Sequence, residues 1–148
     1  MPIIDITYPA NTFSQEQQRE LTTRLSPLIA KWERQPENRV VLDNTWVILR
    51  EQSEGHFTVG GRVQTGKELS RYLVRIHAPE GSIAAEDKQG LADDITSIIL
   101  DLEGETSKEG AFLRVWCIFQ DVPDGNWGYG GRVLTRSQIS ARTRGAAS

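Results

Sequence analysis

The feature that most constrains this chain is that it says the same thing twice, at a fixed shift of 70 residues. Trp46 and Trp116 stand in that register, and so do Gly60-Gly61-Arg62-Val63 and Gly130-Gly131-Arg132-Val133, with no gap needed. The same shift pairs Ile6 with Ile76, Pro9 with Pro79, Glu16 with Glu86, Leu21 with Leu91, Ile29 with Ile99, Ile48 with Ile118, Gly55 with Gly125 and Thr65 with Thr135. A register kept over so many positions implies two copies of one supersecondary unit. Each copy needs the other to bury its apolar face.

The first copy opens with Ile3, Ile4, Ile6 and Tyr8, a β-branched and aromatic run that ends at Pro9-Ala10-Asn11 and predicts a strand and a turn. Ser14-Gln15-Glu16-Gln17 has the form of a capping box. Leu21, Leu25, Leu28, Ile29 and Trp32 then recur at helical spacing until Pro36. A second strand is expected near Thr45–Leu49, followed by a hairpin through Gly55–Arg62, where glycine supplies the positive φ of a tight turn. The second copy gives a strand over Tyr72–Ala78, a helix over about Ala84–Leu102 and a strand over Phe112–Phe119. The chain is thus expected to be one α+β domain of 148 residues, two β-α-β repeats over about 2–70 and 72–140. Their first strands pair edge to edge in a four-stranded sheet with both helices on one face. The uncovered face is expected to be apolar and so to need a symmetric partner, and residues 141–148 to form a frayed or wrapping tail.

Charge and cysteine usage narrow the function. Seventeen Lys and Arg against 20 Asp and Glu leave a net charge of -3, which offers no basic footprint for nucleic acid or an anionic membrane. The single Cys117 excludes an internal disulfide and a Cys-rich metal site. There is no signal-like N-terminus and no apolar run of 18 residues, so a soluble, cytoplasmic protein is expected. No Ser/His/Asp triad or phosphate-binding loop is apparent.

What remains is Pro2, at the head of the first strand. With Met1 removed it carries a secondary amine, and burial disfavours the ammonium form, so such a group can exchange protons near neutral pH. Pro2, the β-α-β unit and the hairpin Gly55-His56-Phe57-Thr58-Val59-Gly60-Gly61 together resemble the tautomerase superfamily, named for 4-oxalocrotonate tautomerase. The doubled length, and the second hairpin Asp124–Arg132, are similar to its fused members, among them cis-3-chloroacrylic acid dehalogenase and malonate semialdehyde decarboxylase. The resemblance implies a tautomerase/MIF-like fold, a homotrimer and an isomerase needing no cofactor or metal. Its N-terminal Pro2 would act on small enol, 2-keto or unsaturated carboxylic acids. Alternatives within the superfamily are a 3-oxo acid decarboxylase, with an acid such as Asp43 near Pro2, or a hydratase; a non-catalytic ligand-binding or assembly homologue is a third.

The chain departs from the family where the carboxylate is held. The arginines that usually follow the first strand of a repeat correspond here to Pro79 and Ser82, and Trp46 and Trp116 stand where an arginine is usual on the second strand. The water-activating acid of the dehalogenase falls at Gly128 or Tyr129. The replacement clamp is expected to be Arg114, sharing a strand face with Trp116, because a guanidinium offers a bidentate fork to a carboxylate. Trp116 and Trp127 would wall the pocket, with core packing the alternative for both. Arg75, flanked by Val74 and Ile76, is a further substrate-binding candidate, with a trimer-interface role the alternative for it and for His77.

Overall fold

The computed structural model describes residues 2–64, 70–104 and 110–145. Its main sheet has the strand order β2-β1-β5-β6, built from β1 (Ile3–Pro9), β2 (Trp46–Gln52), β5 (Tyr72–Pro79) and β6 (Val115–Val122). β1 runs parallel to β2 with Ile3 opposite Trp46, and β5 runs parallel to β6 with Leu73 opposite Trp116, the same register 70 residues on. The two units meet where β1 and β5 pair antiparallel, with Asp5 opposite Arg75. Because those two residues are themselves equivalents, a local twofold axis passes between them.

Helix α1 (Gln15–Trp32) starts as expected: Ser14 Oγ accepts from the Gln17 amide while the Gln17 side chain accepts from the Ser14 amide. Leu21, Leu25 and Ile29 on α1, and Leu91, Ile95 and Ile99 on α3 (Lys88–Glu103), are all fully buried against Ile4, Ile6, Val74 and Ile76 of the central strands. Burying each such side chain contributes roughly 1.5–3 kcal/mol, which is what holds both helices on one face of the sheet. They also meet closely: a Cβ on Gly90 would lie 2.2 Å from the Trp32 ring.

Four expectations need correction. The second strand of the second unit begins at Val115, not Phe112, because Ala111–Arg114 winds into a 3₁₀ turn after Gly110. A short helix α2 (Arg39–Asp43), capped by the Asn38 side chain, precedes β2. The supposed tail belongs mostly to a helix: α4 (Arg136–Gly145) follows the second hairpin, buries Ile139 and Thr143, and is tied to α2 by Asn38 Nδ2 donating to the Thr143 carbonyl at 2.9 Å. Finally, the uncovered sheet face is not uniformly apolar. Trp46, Trp116 and Ile118 are exposed on it, but it also carries an Asp5–Arg50 ion pair, and Arg75 donates to Thr7 Oγ1 at 3.5 Å.

The hairpins β3 (Thr58–Val59) with β4 (Arg62–Val63), and β7 (Trp127–Tyr129) with β8 (Arg132–Leu134), stand off the sheet. Each turns on a pair of glycines with positive φ, Gly60-Gly61 and Gly130-Gly131. Among the described residues, no helix is long and apolar enough to cross a membrane.

Candidate active site

The local twofold makes two equivalent sheet ends, one at Tyr72 and one at Pro2, and the sequence fills them differently. At the first, Tyr8, Phe13 and Tyr72 pack ring on ring, with centroids 5.2 and 5.7 Å apart. Behind them Glu103 is clamped by Arg114, which reaches its two oxygens at 2.8 and 2.6 Å and also donates to the Ser70 carbonyl at 2.9 Å. The Tyr72 hydroxyl donates to Glu103 Oε1 at 2.9 Å, and burial first, then the Glu103 charge, pushes its pKa far up. Thr12 Oγ1 and Ser70 Oγ complete the cluster at 3.2 Å. This end is closed.

Seventy residues away in register, every bulky member is replaced. Pro2 stands for Tyr72, Ala78 for Tyr8, Ile83 for Phe13 and Asn44 for Arg114, while Glu33 is kept for Glu103 and Ser82 and Ser140 for Thr12 and Ser70. Three rings have become a proline, an alanine and an isoleucine. At this end lies a cavity of about 290 Å³ whose lining includes Trp32, Glu33, Pro79, Ser82, Arg136 and Ser140. Pro2 is buried, and its carbonyl accepts from the Trp46 amide at 3.1 Å, which fixes the head of β1 against β2. Ile3 faces His77, so that register continued by one step sets Pro2 alongside Ala78 and next to Pro79.

Electrostatically this cavity is mixed. Glu33, the C-cap of α1, is buried. Arg34 follows it in the left-handed region, φ 60, at the position where the second unit has Gly104 with φ 84. The Arg34 guanidinium reaches Asp87 at 3.0 Å and Glu86 at 3.7 Å. From α4, Arg136 lies over Gly81 and donates to its carbonyl at 2.9 Å; a Cβ on Gly81 would meet that guanidinium at 2.5 Å. On the other side of β1 a second, more apolar cavity of about 140 Å³ is lined by Ile3, Asn44, Trp46, Trp127, Gly128 and Tyr129. The second hairpin thus closes over the strand head of the first unit, and Arg142 of α4 stacks on Tyr129, 5.4 Å from its ring centroid.

Of the residues singled out from sequence, Trp46 and Trp127 line the second cavity beside Ile3, and Pro2 is joined to Trp46 through its carbonyl. Arg114 and Trp116 do not. They line a cavity of about 270 Å³ with Tyr72 and Phe57–Val59, at the far end of β1, about 20 Å away for a seven-residue strand. Nor do they share a strand face, since Arg114 lies in the 3₁₀ turn and is 8% exposed whereas Trp116 is 68% exposed, its Nε1 donating to the Leu113 carbonyl. That exposure also removes core packing as the role of Trp116. Arg75 lies mid-sheet and lines neither of these two cavities. Asp43 ends α2, exposed and paired with Arg39 at 3.0 Å. Met1 lies outside the described residues. Sequence reading missed Glu33, Arg34 and Arg136. The first was open to it, because Glu33 and Glu103 obey the same 70-residue shift.

Residues 73–136 match the family model described as Tautomerase enzyme. No curated protein matches the chain. Among solved structures, the fold is shared with a protein called Pt0534, inactivated by 2-oxo-3-pentynoate (19% identity, TM-score 0.72, 91% of this chain and 97% of that one). It is shared also with N1, a member of the cis-3-chloroacrylic acid dehalogenase family (17%, 0.72, 95% and 88%), and with a fused 4-OT symmetric trimer (17%, 0.70, 93% and 98%). The family match thus falls on the second unit, the first unit repeats its strand register 70 residues earlier, and the fold as a whole is one that these proteins share.

Proposed function

We propose that the protein is a cofactor-independent isomerase that uses the secondary amine of Pro2, freed by removal of Met1, as acid-base catalyst on small enol, 2-keto or unsaturated carboxylic acids. The observation that carries this reading is the hollowing of one sheet end. The twofold-related aromatic cluster is replaced there by Pro2, Ala78 and Ile83, and the same sheet end holds both a buried proline and a cavity lined by Glu33, Pro79 and Ser82. Neutral, the nitrogen takes the proton of the enol hydroxyl and delivers it to the carbon end of the enol double bond, so that the keto acid forms with no atom gained or lost. Protonated, it polarises the carbonyl or stabilises the enolate.

The substrate carboxylate needs a cation, and Arg114 is committed to Glu103. Arg136 and Arg34 line the cavity instead, on the far side from the aromatic wall of Trp46, Trp127 and Tyr129. We assign the clamp to Arg136, assisted by Arg34, in place of the arginines missing at Pro79 and Ser82. The exposed Trp46, Trp116 and Ile118 support assembly of the uncovered faces into a homotrimer like that of the fused 4-OT relative.

The test is an ultraviolet assay with phenylpyruvate enol and 2-hydroxymuconate, on protein whose intact mass establishes loss of Met1. Pro2→Ala should keep the fold and lose at least about a hundredfold in kcat/KM, the low end for a positioned acid-base group. Arg136→Ala should raise KM more than it lowers kcat, as for a group that binds ground and transition states alike. Full activity in Pro2→Ala would refute the mechanism; no turnover on any such acid would favour a ligand-binding homologue.

A further inference from the structure

After Asp124 the sequence carries four arginines, Arg132, Arg136, Arg142 and Arg144, and no acidic residue, although the chain as a whole has a net charge of -3. The fold gathers two of them. Between β8 and α4 lies a cleft of about 310 Å³ lined by Arg132, Val133, Leu134, Gln138, Ala141 and Arg142. Among the described residues neither of its arginines is ion-paired, whereas Arg24, Arg34, Arg39, Arg50 and Arg114 each meet a carboxylate. Two like charges on one cleft, with no acid in its lining, make a local positive potential on an acidic chain. The hairpin brings the two together. Tyr129 of β7 stands opposite Arg132 of β8, so their side chains are neighbours on one face, and the Arg142 guanidinium stacks on the Tyr129 ring 5.4 Å from its centroid.

We propose that this cleft is a binding site for the carboxylate of a small organic acid, separate from the two cavities at the Pro2 end and from the clamp assigned to Arg136. A guanidinium presents a planar fork of N–H donors that matches a carboxylate, and two of them hold it from two directions. Stacking on Tyr129 restricts the Arg142 side chain before any ligand arrives, so less conformational freedom is lost on binding. The remaining walls choose the kind of anion. Val133, Leu134 and Ala141 are aliphatic, and Val133 is 65% exposed, so a ligand with an apolar body covers surface that an inorganic ion leaves in water. The Gln138 side-chain oxygen is held by the Thr135 amide at 2.9 Å, and its NH₂ group is a further donor to the same ligand. Tyr129 also lines the cavity that contains Ile3 and Trp46. An acid held in the cleft is therefore one aromatic side chain away from that cavity.

The experiment is a ligand titration of the full chain followed by ¹⁵N NMR at the arginine Nε–H groups, with Arg132→Gln and Arg142→Gln identifying the two resonances. Both side chains are exposed, so the variants keep the fold. The probes are phenylacetate, phenylacetamide as its neutral counterpart, and inorganic phosphate. Phenylacetate should shift both resonances to saturation with one shared midpoint, and phenylacetamide should shift neither. Phosphate should need about tenfold more ligand, since it buries no apolar surface on Val133 and Ala141. Arg142→Gln should weaken the midpoint read at Arg132 about tenfold, the loss of a charge-assisted bond, and Arg132→Gln should do the same at Arg142. Arg144→Gln removes an exposed charge from the same helix and should change the midpoint less than about twofold. Shifts that never saturate, separate midpoints at the two arginines, an equal response to phenylacetamide, or an Arg144→Gln loss as large as that of Arg142→Gln overturns the proposal. Phosphate binding as tightly as phenylacetate overturns it as well. Because the readout needs no turnover, Pro2→Ala should give the same midpoints. Proline-dependent turnover without saturation therefore refutes the cleft alone, and saturation with a fully active Pro2→Ala refutes the catalytic reading alone.

Discussion

The two ends of the central strand pair show what one backbone does with two fillings. At the Tyr72 end, three aromatic rings and a charge pair fill the space and satisfy each other. At the Pro2 end, the same positions hold Pro2, Ala78, Ile83 and Asn44, and a cavity of about 290 Å³ remains with a buried carboxylate and two arginines on its walls. The difference teaches that one duplicated unit can fill a sheet end while its twin leaves the same end hollow, and the proposed chemistry rests on the hollow one. An internal Tyr72 has no free amine to use, so filling that end forfeits nothing.

The comparison is broken most strongly by taking away the charge that locks the filled end. Glu103→Gln takes the Glu103 charge away from Arg114, whose side chain is only 10% exposed, and loss of one member of a buried pair costs about 3–5 kcal/mol. Glu33→Gln, made beside an open cavity that water can enter, should cost less than half of that. Urea unfolding midpoints measure both; equal losses would mean that the two ends are not specialised as argued.

High pH separates the ends more gently. Burial, and then the charge of Glu51, pushes the Tyr8 phenol from 10.0 up to about 12, and burial raises Tyr72 as well. A phenol with a raised folded-state pKa contributes stability that is complete below its unfolded value and is lost as pH climbs from about 10 through the folded value. Stability should therefore fall between pH 10 and 12. Tyr8→Phe with Tyr72→Phe should flatten that fall while changing little at pH 7 beyond the lost hydroxyl contacts. An unaltered alkaline slope in the double variant would show that other groups govern it.

Much of this was open to sequence reading, and what was not shares a physical cause. The repeat placed the strands of the main sheet, because hydrophobic period and capping are local and the shift doubled every signal. Pro2 and Trp127 were singled out from motifs near them in the chain, and the structure buries the first and sets the second against Ile3 and Trp46. The helix α4 was missed although Thr135 and Gln138 form its capping pair, Thr135 N donating to Gln138 Oε1 at 2.9 Å, because its sparse apolar residues give little periodicity. Arg114 was misjudged for another reason. A strand face assigns neighbours only where the strand exists, and the 3₁₀ turn at Ala111–Arg114 sends that side chain inward to Glu103. The clamp candidates could not be read locally at all: Arg34 and Arg136 are a hundred residues apart and meet only because α4 folds back over Pro79 and Gly81.

Arg34 offers the smallest effect and the sharpest test of specialisation. It sits at φ 60, a conformation that costs a residue with a Cβ roughly 1–2 kcal/mol, where the second unit uses Gly104. Arg34→Gly relieves that strain and removes an ion pair to Asp87 in which the arginine is 70% exposed, an interaction of ~1 kcal/mol at most. The two changes nearly offset each other. The variant should therefore unfold within about 1 kcal/mol of the wild type and bring the first unit closer to its twin. If Arg34 is kept only for its fold, activity will not notice the exchange. If it is kept for the cavity, KM for a carboxylate substrate should rise severalfold while kcat holds, since one of two cations facing the carboxylate is gone. Unchanged KM with unchanged stability would leave Arg136 as the sole clamp and the strain at Arg34 without a functional reason.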